Sequence, residues 1–326
     1  MLDQTEIIVV VVLLTLIYII IRFFLWIIGP ILHSCSQIDN THKDKLLILD
    51  SKQEKEEELC NIEKDSSIDL TLVVPAYNEE ERLPIMLDET ITFLLKWSKK
   101  RKITYEILIV DDGSKDNTKE VVSNYMNKYP KIIRLLALHA NCGKGGAVKR
   151  GVSRSRGQYI LMVDADGATD IEDLDSLYSN LINTTNNSPN NQSIAVGSRA
   201  HLQESSVAKR SLLRTILMYG FHFLVVMLCS SHVRDTQCGF KLFSRPAAKI
   251  LFQTLHLERW AFDVELIYVA ESCKIPIIEL PVRWHEVEGS KLIQNKFDVI
   301  TTSLTMARDM FCVRMSYLLG IWRIKR

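Results

Sequence analysis

The sequence predicts an α/β protein, a mostly parallel sheet with helices on both faces, preceded by one N-terminal transmembrane helix. Three observations carry this. From Leu70 onward strand-like runs at 70–75, 105–110, 132–138, 158–163 and 194–197 alternate with helical stretches at 79–98, 116–129, 144–155 and 171–183. Strand, helix, strand in this order requires crossovers and gives a parallel sheet covered on both sides. The strand-like runs also end in unusual residues. The most abrupt is Gln158-Tyr-Ile-Leu-Met-Val-Asp164-Ala-Asp166-Gly167, an apolar run stopped by two carboxylates one residue apart. Finally, Ile7 to Ile28 is apolar except for Thr15, Tyr18 and Arg22, about the 20 residues a bilayer core needs.

Arg22 costs about 3 kcal/mol at mid-membrane, but it lies near one end and can snorkel, and the surrounding aliphatics at roughly −0.4 kcal/mol each outweigh it. The segment starts with Asp3 and Glu6 and has no small-residue cleavage pattern, so it reads as a retained anchor. Arg22, Lys43 and Lys45 follow it while no Lys or Arg precedes it, which places the bulk of the chain in the cytosol. The acceptor patterns Asn183-Thr-Thr, Asn186-Asn-Ser and Asn191-Gln-Ser then stay unglycosylated. A length of 326 residues allows one large domain or two smaller ones. The resulting division is a tail at 1–6, the anchor at 7–28, a polar linker or solvated helix at 29–68, the α/β domain at 69–290 and a membrane-proximal helical segment at 291–326.

A net charge of +1 argues against a general nucleic-acid binder. Seven cysteines without regular spacing, and no Cys-x-x-Cys, favour a reducing compartment. After Arg199 the alternation fades. Ser211 to Cys229 is apolar but interrupted by Arg214 and His222, which favours an interfacial or core helix over a second span. Phe297 to Ile321 mixes large apolar residues with Arg308 and Arg314, which suits a membrane-surface helix or an ordinary packing helix equally.

In an open α/β sheet, ligands bind outside the carboxyl ends of the strands. Four loops there carry the chemistry. Val74-Pro75-Ala76-Tyr77-Asn78-Glu79-Glu80 stops a strand at proline and starts a helix with acids. Val110-Asp111-Asp112-Gly113-Ser114 offers carboxylates that accept from base or ribose hydroxyls. Asn141-Cys-Gly143-Lys144-Gly145-Gly146 puts glycines before a helix, where backbone N–H groups meet an anion, though it is not a Walker pattern. Asp164 and Asp166 form the fourth, and a hard cation shared with a diphosphate is the simplest use of such a pair.

The order Val-Val-Pro-Ala-Tyr-Asn-Glu, Val-Asp-Asp-Gly-Ser, Gly-Lys-Gly-Gly-Ala, Asp-Ala-Asp resembles the inverting GT-A nucleotide-sugar glycosyltransferases, whose sheet is Rossmann-like. Gly197-Ser-Arg199, Arg234-Asp235-Thr-Gln237-Cys-Gly239-Phe-Lys241-Leu-Phe243, Glu258-Arg-Trp260-Ala-Phe262-Asp263-Val-Glu265 and Glu288-Gly-Ser290-Lys291 narrow the resemblance to the dolichyl-phosphate β-glucosyltransferase family, related to the dolichyl-phosphate mannose synthases. It extends over about residues 70 to 322.

That resemblance implies UDP-glucose as donor, dolichyl phosphate in the bilayer as acceptor, and an endoplasmic reticulum membrane location. Pro75, Ala76, Tyr77 and Glu79 would line the nucleotide pocket with Lys144 and Gly145, and Asp112 would meet uracil or ribose. Asp164 and Asp166 would carry Mg2+ or Mn2+. Mannosyl relatives add a glutamine two residues beyond the second aspartate; here that position is Ala168. Arg199, Lys209, Arg210 and Arg214 would hold the two anionic partners together. Asp235, Gln237 and Glu265 would bind substrate. Asp263, where alcohol-using relatives keep a base, would bind sugar hydroxyls or position arginines. Trp260 reads as core slightly more than as a sugar platform. The nearest alternative is a polyprenyl-phosphate mannosyltransferase using GDP-mannose. A processive synthase is disfavoured by the absence of Gln-x-x-Arg-Trp.

Overall fold

A computed structural model describes residues 4–36, 45–50, 53–56, 62–201, 220, 227–228, 233–287 and 296–325. In chain order the elements are α1 (Gln4–Ser36), β1 (Lys45–Asp50), β2 (Gln53–Glu56), β3 (Ile68–Ala76), α2 (Leu83–Arg101), β4 (Tyr105–Asp111), α3 (Thr118–Lys128), β5 (Ile133–Ala137), α4 (Gly143–Ser153), β6 (Gly157–Met162), α5 (Leu174–Asn186) and β7 (Ile194–Ser198). They continue with β8 (Lys241–Ser244), α6 (Arg245–Thr254), α7 (Phe262–Ser272), β9 (Ile277–Pro281) and α8 (Lys296–Leu318).

The sheet is ordered β5-β4-β3-β6-β8-β7-β9, extended beyond β5 by the hairpin β1–β2. β3 pairs in parallel with β4 and β6, β4 with β5, and β7 with β9. β8 runs against both of its neighbours, so the sheet is mixed. Side chains alternate between two cores, as a strand with period two requires. Leu70, Leu72, Val74, Ile107 and Ile109 face α2 and α5 through Leu87, Ile91, Leu94, Leu177 and Leu181. Val73, Leu108, Val110, Ile160 and Met162 face α4, α6 and α7 through Val148, Val152, Leu251, Phe262 and Leu266. Burial on both faces is what makes the strands read as near-continuous apolar runs.

Two expectations change. Part of the stretch 29–68 is not linker: α1 continues to Ser36, and Lys45-Leu-Leu-Ile-Leu-Asp50 pairs antiparallel with β5. Its aliphatic run supplies an edge strand, and the charged Gln53–Glu56 covers that edge in turn. The regular structure also continues past Arg199 with β8, α6, α7 and β9. The strand β8 has only four residues and opens on a lysine, which hides it from a pattern of alternating hydrophobicity.

Leu14–Ile31 of α1 is long and apolar enough to cross a membrane. The helix α8 docks on it: Arg308 Nη1 donates to the Trp26 carbonyl at 3.3 Å, its guanidinium lies 5.0 Å from the Trp26 ring centre, and Cys312 Sγ donates to the Ile27 carbonyl at 3.0 Å. One face of α8 enters the core through Met310 and Val313, while Leu304, Phe311 and Leu318 stand exposed at seven-residue spacing. One face therefore packs as an ordinary core helix does, and the other is left apolar and exposed. Of Ser211 to Cys229 only Gly220, Met227 and Leu228 lie within the described residues.

Candidate active site at the carboxyl ends of the strands

The first two strand-end loops are stitched into one wall. Asn78, held at φ 55°, donates its N–H to Ser114 Oγ at 2.9 Å and accepts from the Lys115 N–H at 2.8 Å. Glu79 N–H reaches Thr118 Oγ1 at 2.8 Å, and Asn117 N–H reaches Glu80 Oε2 at 2.9 Å. Pro75 and Ala76 end β3 at the base of this wall, and Tyr77 is exposed at its rim. The Glu79 carboxylate is spent on Arg82, at 2.7 and 2.5 Å.

Asp112 is 3 % exposed and binds the glycine turn. Its Oδ1 accepts from the Cys142 N–H at 2.7 Å and its Oδ2 from the Gly143 N–H at 2.9 Å. The Cys142 thiol also donates to Oδ1 at 3.2 Å, so the outer lone pair of Oδ2 is what this carboxylate can offer a base or ribose. The same bonds correct the reading of the glycine turn as an open anion nest, because the Gly143 N–H goes to Asp112 and the Gly146 N–H to the Glu258 carbonyl at 2.9 Å. The glycines are there for close approach. A Cβ on Gly145 would overlap the Phe262 side chain at 2.7 Å, and Gly143 sits at φ +83° under Glu258. What the turn presents to the site is Lys144.

Asp164 and Asp166 follow β6, half-buried. Lys144 Nζ lies 2.6 Å from Asp164 Oδ1. On the other side the Asp164 carboxylate rests against Gly239, where any Cβ would collide with it. Burial opposes the charge on Asp164, but Lys144, Lys241 and Arg199 more than offset it and hold the carboxyl below its usual range. Asp166 Oδ1 accepts from the Ala168 N–H at 3.0 Å over the turn at Gly167, φ +72°.

The second half of the chain supplies cations, each tied to an acid. Arg199, just beyond β7, forms a fork with Asp235: Nε to Oδ2 at 2.7 Å and Nη2 to Oδ1 at 2.9 Å. The Trp284 ring lies 5.4 Å from the guanidinium carbon. Asp235 is buried and its carboxylate is also bound by the Arg199 N–H, so both of its oxygens are engaged by Arg199. Lys241, fully buried, donates to Asp263 Oδ1 and to the Cys238 carbonyl, both at 2.6 Å. Asp263 is thus bound to a lysine and not to an arginine, and it is 4 % exposed.

Glu265 is not at the site. Its oxygens accept from the His256 and Leu257 N–H groups at 3.0 and 2.7 Å and from Tyr317 Oη of α8 at 2.9 Å. It clips the C-terminal helix to the domain. Trp260 is 38 % exposed, so the core reading fails. Gln237 is half-buried beside Asp235 in sequence. Lys209, Arg210 and Arg214 lie outside the described residues. Sequence reasoning assigned no role to Arg82, whose charge Asp164 and Asp166 reinforce, nor to Lys241, Gly239 or Trp284. Lys241 and Gly239 stood inside a quoted motif, whereas Arg82 carried no signal beyond its spacing from Glu79.

Among the described residues no third His, Cys, Asp or Glu joins the aspartate pair. Two carboxylate ligands still suit Mg2+ or Mn2+, because hard ions take oxygen donors and magnesium keeps waters when substrate phosphates complete its shell. That Asp164 already attracts a cationic side chain fits such an ion.

The family model for glycosyl transferase family 2 matches residues 71–252, more than half of the chain, so the parallel strands, the acid pair and the tethered cations are those of a glycosyltransferase. The chain is 49% identical over 287 residues to dolichyl-phosphate β-glucosyltransferase of Homo sapiens, covering 87% of this chain and 86% of that one. With the enzyme of that name from Dictyostelium discoideum it shares 53% over 270 residues, 81% and 80% of the two chains. The chain belongs to the dolichyl-phosphate β-glucosyltransferase group of glycosyl transferase family 2. The crystal structure of mannosyl-3-phosphoglycerate synthase from Rubrobacter xylanophilus has the same fold, with TM-score 0.52 at 18% identity over 79% of this chain and 77% of that one.

Proposed function

We propose that this chain transfers glucose from UDP-glucose to dolichyl phosphate with inversion. The product, dolichyl β-D-glucosyl phosphate, would serve as glucose donor for lipid-linked oligosaccharide assembly in protein N-glycosylation. The enzyme would sit in the endoplasmic reticulum membrane with its catalytic domain in the cytosol. The relatives' names support the glucose and the lipid phosphate. The observation that carries the chemistry is the gathering of Asp164, Asp166, Lys144 and Arg199 at one end of the sheet.

Negative charge grows on the diphosphate as the bond to glucose breaks. Asp164 and Asp166 would hold Mg2+ or Mn2+, which would supply Lewis-acid neutralisation of that charge. Lys144 adds a second positive group from the end of the glycine turn. Arg199 spends Nε and Nη2 on Asp235, so its orientation is fixed and Nη1 can meet a phosphate oxygen of the acceptor. A phosphate monoester is already an oxyanion at neutral pH and needs no general base. The burial of Asp263 against Lys241 fits that acceptor, since no alcohol could lose its proton to so enclosed a carboxylate. Attack from the face opposite UDP inverts an α-linked donor to a β-linked product.

The apolar stripe of α8 beside α1 suits a site that works on a substrate whose tail stays in the bilayer. The discriminating experiment gives the detergent-solubilised chain dolichyl phosphate with labelled UDP-glucose or GDP-mannose, with and without chelator. Glucosyl lipid formed from UDP-glucose and abolished by chelator is expected. Better transfer from GDP-mannose would overturn the donor assignment.

A further inference from the structure

Lys144 neutralises one of the two carboxylates that would hold the divalent cation. Its Nζ lies 2.6 Å from Asp164 Oδ1, within the distance at which an ammonium and a carboxylate form a charge-assisted hydrogen bond. A cation on the same oxygen would sit at about 2.0–2.6 Å from it. The two positive groups would then be close neighbours in a low-dielectric setting where like charges repel strongly. A nearby acid cannot take Lys144 over without cost: Asp263 is bound to Lys241, and Asp235 to Arg199. A nucleoside diphosphate changes this balance, because it brings new anionic oxygens to which both the ammonium and the cation can move.

We infer that Lys144 is a built-in competitor for the divalent cation, yielding Asp164 only when a nucleoside diphosphate offers its ammonium another anion, so that cation and nucleotide bind as a unit. The inference rests on the reading of Asp164 and Asp166 as the cation site. It assigns Lys144 two opposite effects: it weakens cation binding to the nucleotide-free protein and strengthens binding once the diphosphate is present. Coupling of this kind is reciprocal, so the cation tightens the nucleotide by the same factor.

The test measures Mn2+ binding by the full-length, detergent-purified protein, from the electron paramagnetic resonance signal of free Mn2+, with and without saturating UDP. The wild-type chain is expected to bind Mn2+ at least about tenfold more tightly with UDP, within the range usual for coupled sites. Lys144→Met should bind Mn2+ alone more tightly than wild type, with the UDP effect reduced to about threefold or less, and Lys144→Arg should restore the coupling. Lys144→Gln serves as second neutral variant, and melting temperatures confirm that each variant is folded. Unchanged or weaker Mn2+ binding by both neutral variants, with the UDP effect intact, would overturn the inference. Wild-type Mn2+ binding by Asp164→Asn would instead overturn the underlying cation-site reading.

Discussion

At Gly239 a single methyl group decides whether Asp164 can keep its place. The glycine leaves the chain close enough that a Cβ would overlap the Asp164 carboxylate, which is held from the other side by Lys144. Gly239→Ala is therefore expected to lower chelator-sensitive glucosyl transfer about 100-fold, the scale of loss for a displacement near 1 Å in a reacting constellation. Its melting temperature should stay close to wild type. A variant that keeps full turnover would show that Asp164 has freedom the structure denies it. Asp164 and Asp166 were legible in the sequence because carboxylates that end an apolar strand face the ligand side of the sheet. Asp235, Asp263 and Glu265 were not separable by the same means. All three are acids in motifs of one kind, and only the fold reveals that their oxygens are occupied by Arg199, Lys241 and the His256–Leu257 backbone. A buried acid and a ligand-facing acid look alike until their neighbours in space are known.

Among the elements, β3, β4, β5, β6 and β7 fall within two residues of their expected positions, because strands buried on both faces announce themselves as apolar runs. The start of α2 was placed four residues early, at 79 against Leu83. Asn78, Glu79 and Glu80 look like a helix start, but their backbone N–H groups go across to Ser114, Thr118 and Asp116. Helix-like composition there serves loop stitching. β8 was missed because four residues opening on a lysine show no period, and the hairpin β1–β2 because it lies within a stretch that is polar and charged as a whole. In α8 one composition carries two faces, which the sequence alone left open. The exposed stripe predicts that Leu304→Glu, Phe311→Glu and Leu318→Glu together reduce transfer to full-length dolichyl phosphate in membranes by at least about tenfold. Transfer to a short-chain polyprenyl phosphate in detergent should be nearly unchanged. An equal loss with both acceptors would mean the stripe supports the domain and not its seat on lipid.

Across the whole molecule, one arrangement links anchor, sheet and chemistry. The apolar α1 grips α8 through Trp26 and Ile27, α8 is clipped to the domain through Tyr317 and Glu265, and the carboxyl ends of the sheet carry the Lys144–Asp164 and Arg199–Asp235 pairs. The proposed reaction needs each part: a lipid tail kept in the bilayer, a phosphate met by Arg199, and a diphosphate neutralised at Asp164 and Asp166. The most direct measurement is the single-turnover rate of glucosyl transfer by Asp166→Ala, with UDP-glucose and dolichyl phosphate both saturating. Loss of charge stabilisation at the leaving diphosphate predicts a fall of at least about 100-fold in a folded protein. A rate equal to wild type would contradict the account, because the aspartate pair would then have no part in the chemistry.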